Sequence, residues 1–432
     1  MTDRCLADWL TLLETRHPCE IELGLDRVSR VWDRYRSNQP YQQSHNRPKV
    51  ITVAGTNGKG SCIATMQALL LEHGYAVGTF TSPHFLRYNE RISISGVPVA
   101  DRYIISAFEK IEAIREDIAL SYFEFNTLAA LIIFDNAALD VLLLEVGLGG
   151  RLDAVNIIDP DVAVLTSIDL DHQQWLGETR SQIAAEKLGI ARASRPILIG
   201  ETDYPENFKQ MVNETQATAL WCGQDFDYQL DKATFSARLS PYGSADARVL
   251  EIDNLQATGL LPINKLLALQ ALISVGFVLQ ADKCRSALQN INLNGRQQEY
   301  LYKDVPVILD VAHNPAAAAV LGQNLAQYKG RIIAVASVLE DKDWDSMLEA
   351  LSPAIDDWKL AQLESVARAA KGQNLLKLLY NRGLKGALYS SVKEAFQAAL
   401  SQADNDDKIV VFGSFHTVAA VLEIILTEVS SE

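Results

Sequence analysis

The feature that most constrains this chain is the run Lys-Val-Ile-Thr-Val-Ala at positions 49–54. It leads into Gly55-Thr56-Asn57-Gly58-Lys59-Gly60-Ser61 and then a helical stretch, 62–73, closed by Gly74. A short β-branched run of this kind predicts a buried strand, and a strand feeding a helix through a glycine-rich turn predicts a parallel α/β sheet. Glycines let consecutive backbone N–H groups converge on a phosphate. The helix N-terminus adds positive potential, and Lys59 supplies a point charge. The loop departs from G-x-x-x-x-G-K-[ST], because position 53 is Val and Gly60 separates Lys59 from Ser61. Ordinary turn chemistry is the competing reading; strand, lysine and hydroxyl together favour phosphate binding.

The same grammar continues along the chain. Residues 76–80, 141–146 and 162–168 read as further strands ending in polar or glycine-rich segments. Before them, residues 5–14 and 24–35 read as helices, followed by a polar loop at 36–48. A second series begins after Gly295-Arg296, with strands expected at 307–311, 331–337, 358–363, 387–390 and 409–412 and helices at 315–327 and 392–400. The 432 residues exceed what one core accommodates. The expected fold class is α/β in two domains. Residues 1–296 form a P-loop ATPase-like, doubly wound sheet, and 297–432 a smaller Rossmann-like domain. In such architectures sites lie at strand C-termini and between domains.

Charge narrows the partners. Lys and Arg total 39 against 54 Asp and Glu, a net charge of −15. Such a surface repels nucleic acid and anionic membrane, so an anionic substrate must be held by a local pocket. Cys5, Cys19, Cys62, Cys222 and Cys284 are scattered, odd in number and never in a C-x-x-C pair. That argues against a disulfide framework or a zinc site and fits a reducing cytosol. Residues 1–13 carry Asp3, Arg4 and Asp8 and read as no signal peptide, and no apolar run approaches membrane-spanning length. The expectation is a cytoplasmic protein, and a monomer, because no long apolar surface helix stands out.

Glu145 ends the run 141–144 and precedes Gly147-x-Gly149-Gly150. A carboxylate at a strand end beside a phosphate loop suits a Mg²⁺ ligand, since Mg²⁺ takes hard oxygen donors; a solvated acid is the alternative. Asp171-His172 follows another strand, where a histidine is usually a packing or hydrogen-bonding residue. Lys187 falls in a helical stretch, 181–191, and reads as solvent-exposed and paired with a nearby acid.

The G-T-N-G-K-G-S loop resembles the ATP site of the folylpolyglutamate synthase/dihydrofolate synthase family, within the Mur-ligase superfamily of ATP-dependent amide-forming ligases. The likeness continues at Thr81-Ser82-Pro83-His84, through Glu145 to Asp153, at Asp171-His172, at Glu186-Lys187-Leu188-Gly189-Ile190, at Asp310-Val311-Ala312-His313-Asn314-Pro315 and at Gly413-Ser414-Phe415-His416-Thr417. These seven blocks run in family order across nearly the whole chain.

The resemblance implies roles that composition does not. Ser82, Glu145 and His172 resemble the metal ligands, and Lys187 resembles a lysine N-carboxylated by CO₂, which then helps hold a second Mg²⁺. Asn264, Arg296, Asp310 and His313 resemble residues that close the nucleotide site. Asn264 suits the adenine, with a helix cap as its alternative. Arg296 stands in Asn294-Gly295-Arg296, where relatives often read P-G-R; arginine suits a phosphoryl group developing charge. His313 reads equally as a loop histidine bonded to backbone. Gly24, Leu25, Asp26 and Arg27 resemble the N-terminal loop of bifunctional bacterial members, and Phe123, Glu124, Leu152 and Asp153 match pterin-pocket positions. Phe125 belongs to the same stretch; for Phe123 and Phe125 a core-packed strand is the competing reading, and for residues 24–27 a charge-capped helix start. Ser414, Phe415 and His416 read either as holding glutamate or the acyl-phosphate, or as a helix start capped by Ser414.

The implied activity joins L-glutamate to dihydropteroate and to tetrahydrofolate. ATP phosphorylates the acceptor carboxylate, and the glutamate amine displaces phosphate. Domain closure is expected to bring Arg296 and Asp310 over the nucleotide and exclude water. A monofunctional folylpolyglutamate synthase is the near alternative. A muramoyl-peptide ligase fits poorly, since no UDP-binding domain precedes Val50. A kinase or switch NTPase predicts Ser or Thr directly after Lys59, where Gly60 stands. A non-catalytic nucleotide-binding protein predicts loss of a metal or hinge residue, yet Glu145, His172, Lys187 and Arg296 are all present.

Overall fold

The structure, a computed structural model, describes residues 4–16, 22–38, 47–242, 248–289, 291–363, 366 and 368–429. Cys19 and most of the expected polar loop, 39–46, lie outside the described residues. The chain divides into two units, Met1–Ile291 and Asn292–Glu432. The division precedes the expected 296/297 boundary, because residues 295–297 are tied to the second unit. The Val311 N–H donates to the Gly295 carbonyl (2.9 Å), and the Gln297 N–H to the Asp310 carboxylate (3.0 Å).

In the first unit the strands are β1 (Lys49–Ala54), β2 (Val77–Phe80), β3 (Ile92–Ile94), β4 (Val97–Pro98), β5 (Val141–Glu145), β6 (Val162–Leu165), β7 (Pro196–Ile199) and β8 (Thr218–Trp221). They form one sheet in the order β4-β3-β2-β5-β1-β6-β7-β8. From β2 to β8 all pairs are parallel; β3 and β4 add an antiparallel edge. Side chains alternate across each strand, so β1 sends Val50 and Ala54 into one core and Ile51 and Val53 into another. Both faces are thereby buried, which explains why these strands read as continuous apolar runs. A three-stranded antiparallel sheet, β9 (Asp227–Asp231), β10 (Thr234–Leu239) and β11 (Leu250–Gln256), completes the unit. It escapes the sequence reading because its exposed positions are polar and break the apolar runs.

The second unit holds β12 (Gln298–Tyr302), β13 (Val305–Leu309), β14 (Ile332–Ala336), β15 (Asp357–Ala361), β16 (Gly386–Tyr389) and β17 (Lys408–Phe412). Their order is β12-β13-β17-β14-β15-β16, with only β12 antiparallel. The five strands read from sequence are those from β13 onward; β12, with exposed Glu299 and Leu301, was not anticipated.

The strand reading at 122–125 is corrected. These residues open the helix Tyr122–Asp135. Ser121 caps it, with the Glu124 N–H donating to Ser121 Oγ (3.3 Å) and the Ser121 N–H to Glu124 Oε2 (2.7 Å), a reciprocal capping box. Aromatic content suggested a strand; the cap decides otherwise. No described helix is long and apolar enough to cross a membrane.

Candidate active site

Parallel strands deliver their C-terminal ends to one edge of a sheet. In the first unit that edge carries the loop after β1, Ser82 after β2, Glu145 at the end of β5 and the segment after β6. The loop turns through Gly55 (φ +152°) and Gly58 (φ +89°), and the helix Lys59–Glu72 starts directly after it. A Cβ at Gly58 would lie 2.5 Å from Asn264 Oδ1, so the Asn264 amide rests on the loop. Asn264 is buried within the first turn of the helix Pro262–Ser274, which follows Leu261 without a side-chain cap. The helix-cap reading of Asn264 is therefore set aside.

Two residues the sequence reading passed over support the loop. Thr166 Oγ1 donates to the Asn57 carbonyl (2.6 Å), and Ser167 Oγ accepts from the Asn57 N–H (2.9 Å). Thr56 is held likewise, its N–H on the Ser167 carbonyl (2.9 Å) and its Oγ1 accepting from the Asp169 N–H (3.0 Å). Hydroxyls at the end of the strand neighbouring the phosphate-loop strand were the available signal. The Lys59 ammonium donates to the Gly55 carbonyl (2.9 Å), folding over its own loop.

Glu145 is 5 % exposed, and its Oε2 accepts the Ser82 N–H (3.1 Å). The solvated-acid reading is overturned: the carboxylate is buried at the strand end. His172 has φ +52°, and its N–H donates to Asp171 Oδ1 (2.8 Å). Lys187 is 4 % exposed, so the exposed, acid-paired reading is overturned too. The adjacent Glu186 pairs instead with Arg151 (2.8 Å). Burial pushes the Lys187 amine down to about 7, the Lys59 charge adds to the fall, and Asp171 opposes it. Lys59, Asp171 and Lys187 are thus electrostatic neighbours.

The eight residues matched to a pterin pocket meet in one neighbourhood. The Gly24 N–H donates to the Leu152 carbonyl (3.1 Å), and Leu25 precedes the helix Asp26–Ser37. Arg27 Nη2 lies 3.1 Å from Glu124 Oε1. Phe123 stacks over the backbone at Gly147, where a Cβ would lie 2.6 Å from the ring. Asp153 accepts N–H groups from Leu148 (2.9 Å) and Val155 (3.0 Å), holding the glycine-rich turn closed. Burial nevertheless pushes its carboxyl up to about 7, against these bonds and the Lys59 charge.

In the second unit the ends of β13 and β17 adjoin. Asp310 Oδ1 accepts the Ala312 N–H (2.8 Å) while Oδ2 accepts that of Gln297, and burial raises its carboxyl against the nearby Arg296 charge. The Arg296 guanidinium sits 5.5 Å over the Phe415 ring. His313 Nδ1 bonds the Val311 carbonyl (2.8 Å), as the loop-histidine reading expects. Ser414 Oγ accepts the Thr417 N–H (3.1 Å), which makes it a helix cap.

Residues 53–238 match the Mur ligase middle domain and 295–415 the Mur ligase glutamate ligase domain. Fold and site together therefore define a ligase of the Mur class. Within it, the chain belongs to the dihydrofolate synthase/folylpolyglutamate synthase family. It is 41% identical over 423 residues to the Escherichia coli dihydrofolate synthase/folylpolyglutamate synthase, covering 97% of this chain and 95% of that protein. The Haemophilus influenzae enzyme of the same description is 39% identical over 438 residues, with 96% of each covered. Among solved structures, E. coli FolC in complex with DHPP and ADP superposes with a TM-score of 0.90 at 40% identity, covering 99% of both chains. A bifunctional folylpolyglutamate synthase/dihydrofolate synthase from Yersinia pestis, complexed with AMPPNP and Mn, gives 0.88 at 39% identity and 98% of both.

Proposed function

We propose that this chain is a bifunctional, ATP-dependent ligase that adds L-glutamate to dihydropteroate, forming dihydrofolate, and to tetrahydrofolate, forming polyglutamates. The observation that carries this is the C-terminal edge of the first sheet. There a phosphate loop with Lys59 adjoins the buried Glu145–Ser82 pair and the clustered residues from Gly24 to Asp153.

A carboxylate oxygen of the acceptor attacks the γ-phosphorus of ATP, the bond to ADP breaks, and an acyl-phosphate forms. The glutamate amine, having lost its proton, attacks the acyl carbon, and phosphate departs with its bonding electrons. Loop N–H groups and Lys59 hold the transferring charge, and Asn264 seats the nucleotide against Gly58. Arg296, Asp310 and His313 are assigned to the nucleotide, with Arg296 meeting the phosphoryl charge.

Glu145 and the Ser82 hydroxyl supply hard oxygen donors, and His172 a third group, which fits Mg²⁺. When bound, Mg²⁺ supplies charge neutralisation at the phosphates; Ser82, Glu145, His172 and a carboxylated Lys187 would hold two ions. A buried ammonium beside Lys59 cannot hold a cation. Carboxylation resolves this: the neutral amine forms an N–C bond to CO₂, a proton leaves, and an anion with two oxygens results. An amine brought down to about 7 has the neutral form this needs.

The protein acts as a cytoplasmic monomer, which sedimentation tests directly. The test of function is ADP release with ATP, Mg²⁺ and L-glutamate, comparing 7,8-dihydropteroate with tetrahydrofolate. Turnover with both is expected. Tetrahydrofolate alone leaves a monofunctional synthase, and neither removes the folate reading.

A further inference from the structure

Arg91 stands apart from the residues matched to any role. It closes the short helical turn Tyr88–Arg91, is 9 % exposed, and has no carboxylate within ion-pair distance among the described residues. The acid beside it, Glu90, is engaged elsewhere, accepting the backbone N–H groups of Phe85 (2.7 Å), Leu86 (3.0 Å) and Arg87 (2.8 Å). Of the five guanidinium N–H donors, Nε–H is committed, to His84 Nδ1 at 2.8 Å. The Nη donors have no protein acceptor among the described residues.

A buried charge without a partner is costly, and a guanidinium cannot escape by losing its proton. The Tyr88 and Tyr122 rings flank it at 5.9 and 5.7 Å and offset part of that cost while fixing its plane. What is left is a ring-held fork of donors whose geometry matches a carboxylate. Its place specifies which carboxylate. Tyr122 is followed by Phe123 and Glu124 of the acceptor pocket. The Arg91 carbonyl accepts the Thr81 N–H (2.9 Å), one residue from the Ser82–Glu145 contact.

We propose that Arg91 binds the acceptor carboxylate that receives the phosphoryl group. The proposal rests on the folate-ligase reading. It makes Arg91 the counter-ion that holds the nucleophilic oxygen in place in both half-activities.

The experiment measures equilibrium binding of 7,8-dihydropteroate and of its uncharged carboxamide to the ADP-bound full chain, as wild type, Arg91→Met and Arg91→Lys. Melting temperature and ADP affinity establish that each variant is folded; Arg91→Lys, which keeps the charge, carries the test if Arg91→Met does not fold. Losing a charge-assisted pair weakens acid binding by about tenfold or more in Arg91→Met, and by less in Arg91→Lys. Carboxamide binding stays unchanged in both. The KM for either acceptor rises correspondingly while the KM for ATP does not. Unchanged acid affinity in a folded variant overturns the proposal, as does equal loss of acid and carboxamide. Wild-type protein inactive with both acceptors overturns the ligase reading instead, so the two failures are distinguishable.

Discussion

Lys187 lies buried next to another lysine, an arrangement that disfavours two ammonium groups and favours a neutral or modified amine. The consequence for stability has a definite sign. In CO₂-free buffer the unfolded chain keeps a proton on Lys187 up to its ordinary 10.5, while the folded chain releases it near about 7. Between those values the unfolded state binds more protons, so stability rises with pH across that window. Urea unfolding across the window is expected to show this slope in the wild type and to lose it in Lys187→Met; added bicarbonate stabilises the folded chain further by capturing the neutral amine. Lys59→Ala and Glu145→Ala test the transfer chemistry. Each is expected to lower kcat by roughly 10²-fold or more, as loss of a charge-stabilising group does, with circular dichroism unchanged. Near-normal rates in either would falsify the assignment.

At the scale of elements, the phosphate loop depends on a close approach between Gly58 and the helix bearing Asn264. Gly58→Ala adds a Cβ 2.5 Å from Asn264 Oδ1 at a backbone φ of +89°. It is expected to destabilise the first unit by about 1–3 kcal/mol and to abolish measurable ADP binding by calorimetry. The proposed acceptor pocket hangs on Glu124, whose carboxylate caps the helix Tyr122–Asp135 and pairs with Arg27 of the helix Asp26–Ser37. Glu124→Ala removes the cap and leaves Arg27 with Glu22 alone among its acidic partners. A loss of about 1–2 kcal/mol follows from removing the cap at the helix start. Because the Glu124–Arg27 pair anchors residues 24–27, the acceptor KM is expected to rise while the ATP KM holds. Denaturant melts and steady-state kinetics check the two parts separately.

For the whole molecule, each unit has a sheet and an apolar core of its own: Trp358, Trp344 and Phe412 pack together in the second unit, and two cores flank the sheet of the first. A fragment covering 292–432 is therefore expected to unfold cooperatively in urea. The fragment 1–291 contains the loop at 55–61, Asn264 and the proposed acceptor pocket. It is expected to bind nucleotide by calorimetry yet release no ADP in the glutamate assay, because it lacks Arg296. Turnover by that fragment alone would remove Arg296, Asp310 and His313 from the reaction.

Local signals determined a good part of this protein from sequence. Apolar β-branched runs announced β1, β5, β6 and the strands from β13 onward, since strands buried on both faces need no polar alternation. Glycines announced the strand-to-helix turn at 55–58, because a positive backbone φ is tolerated by the residue itself. Helix start at Tyr122, by contrast, turned on a capping contact between Ser121 and Glu124, and the apolar aromatic run obscured it. Whether a charged side chain is wet or dry was undecidable locally: Glu145 and Lys187 look like ordinary surface residues until the fold covers them. Likewise Arg27 meets Glu124, Thr166 meets Asn57 and Arg91 stands between two tyrosines only because distant strands and helices converge. Burial and long-range pairing depend on what the rest of the chain places around a residue, and that the tertiary structure alone decides.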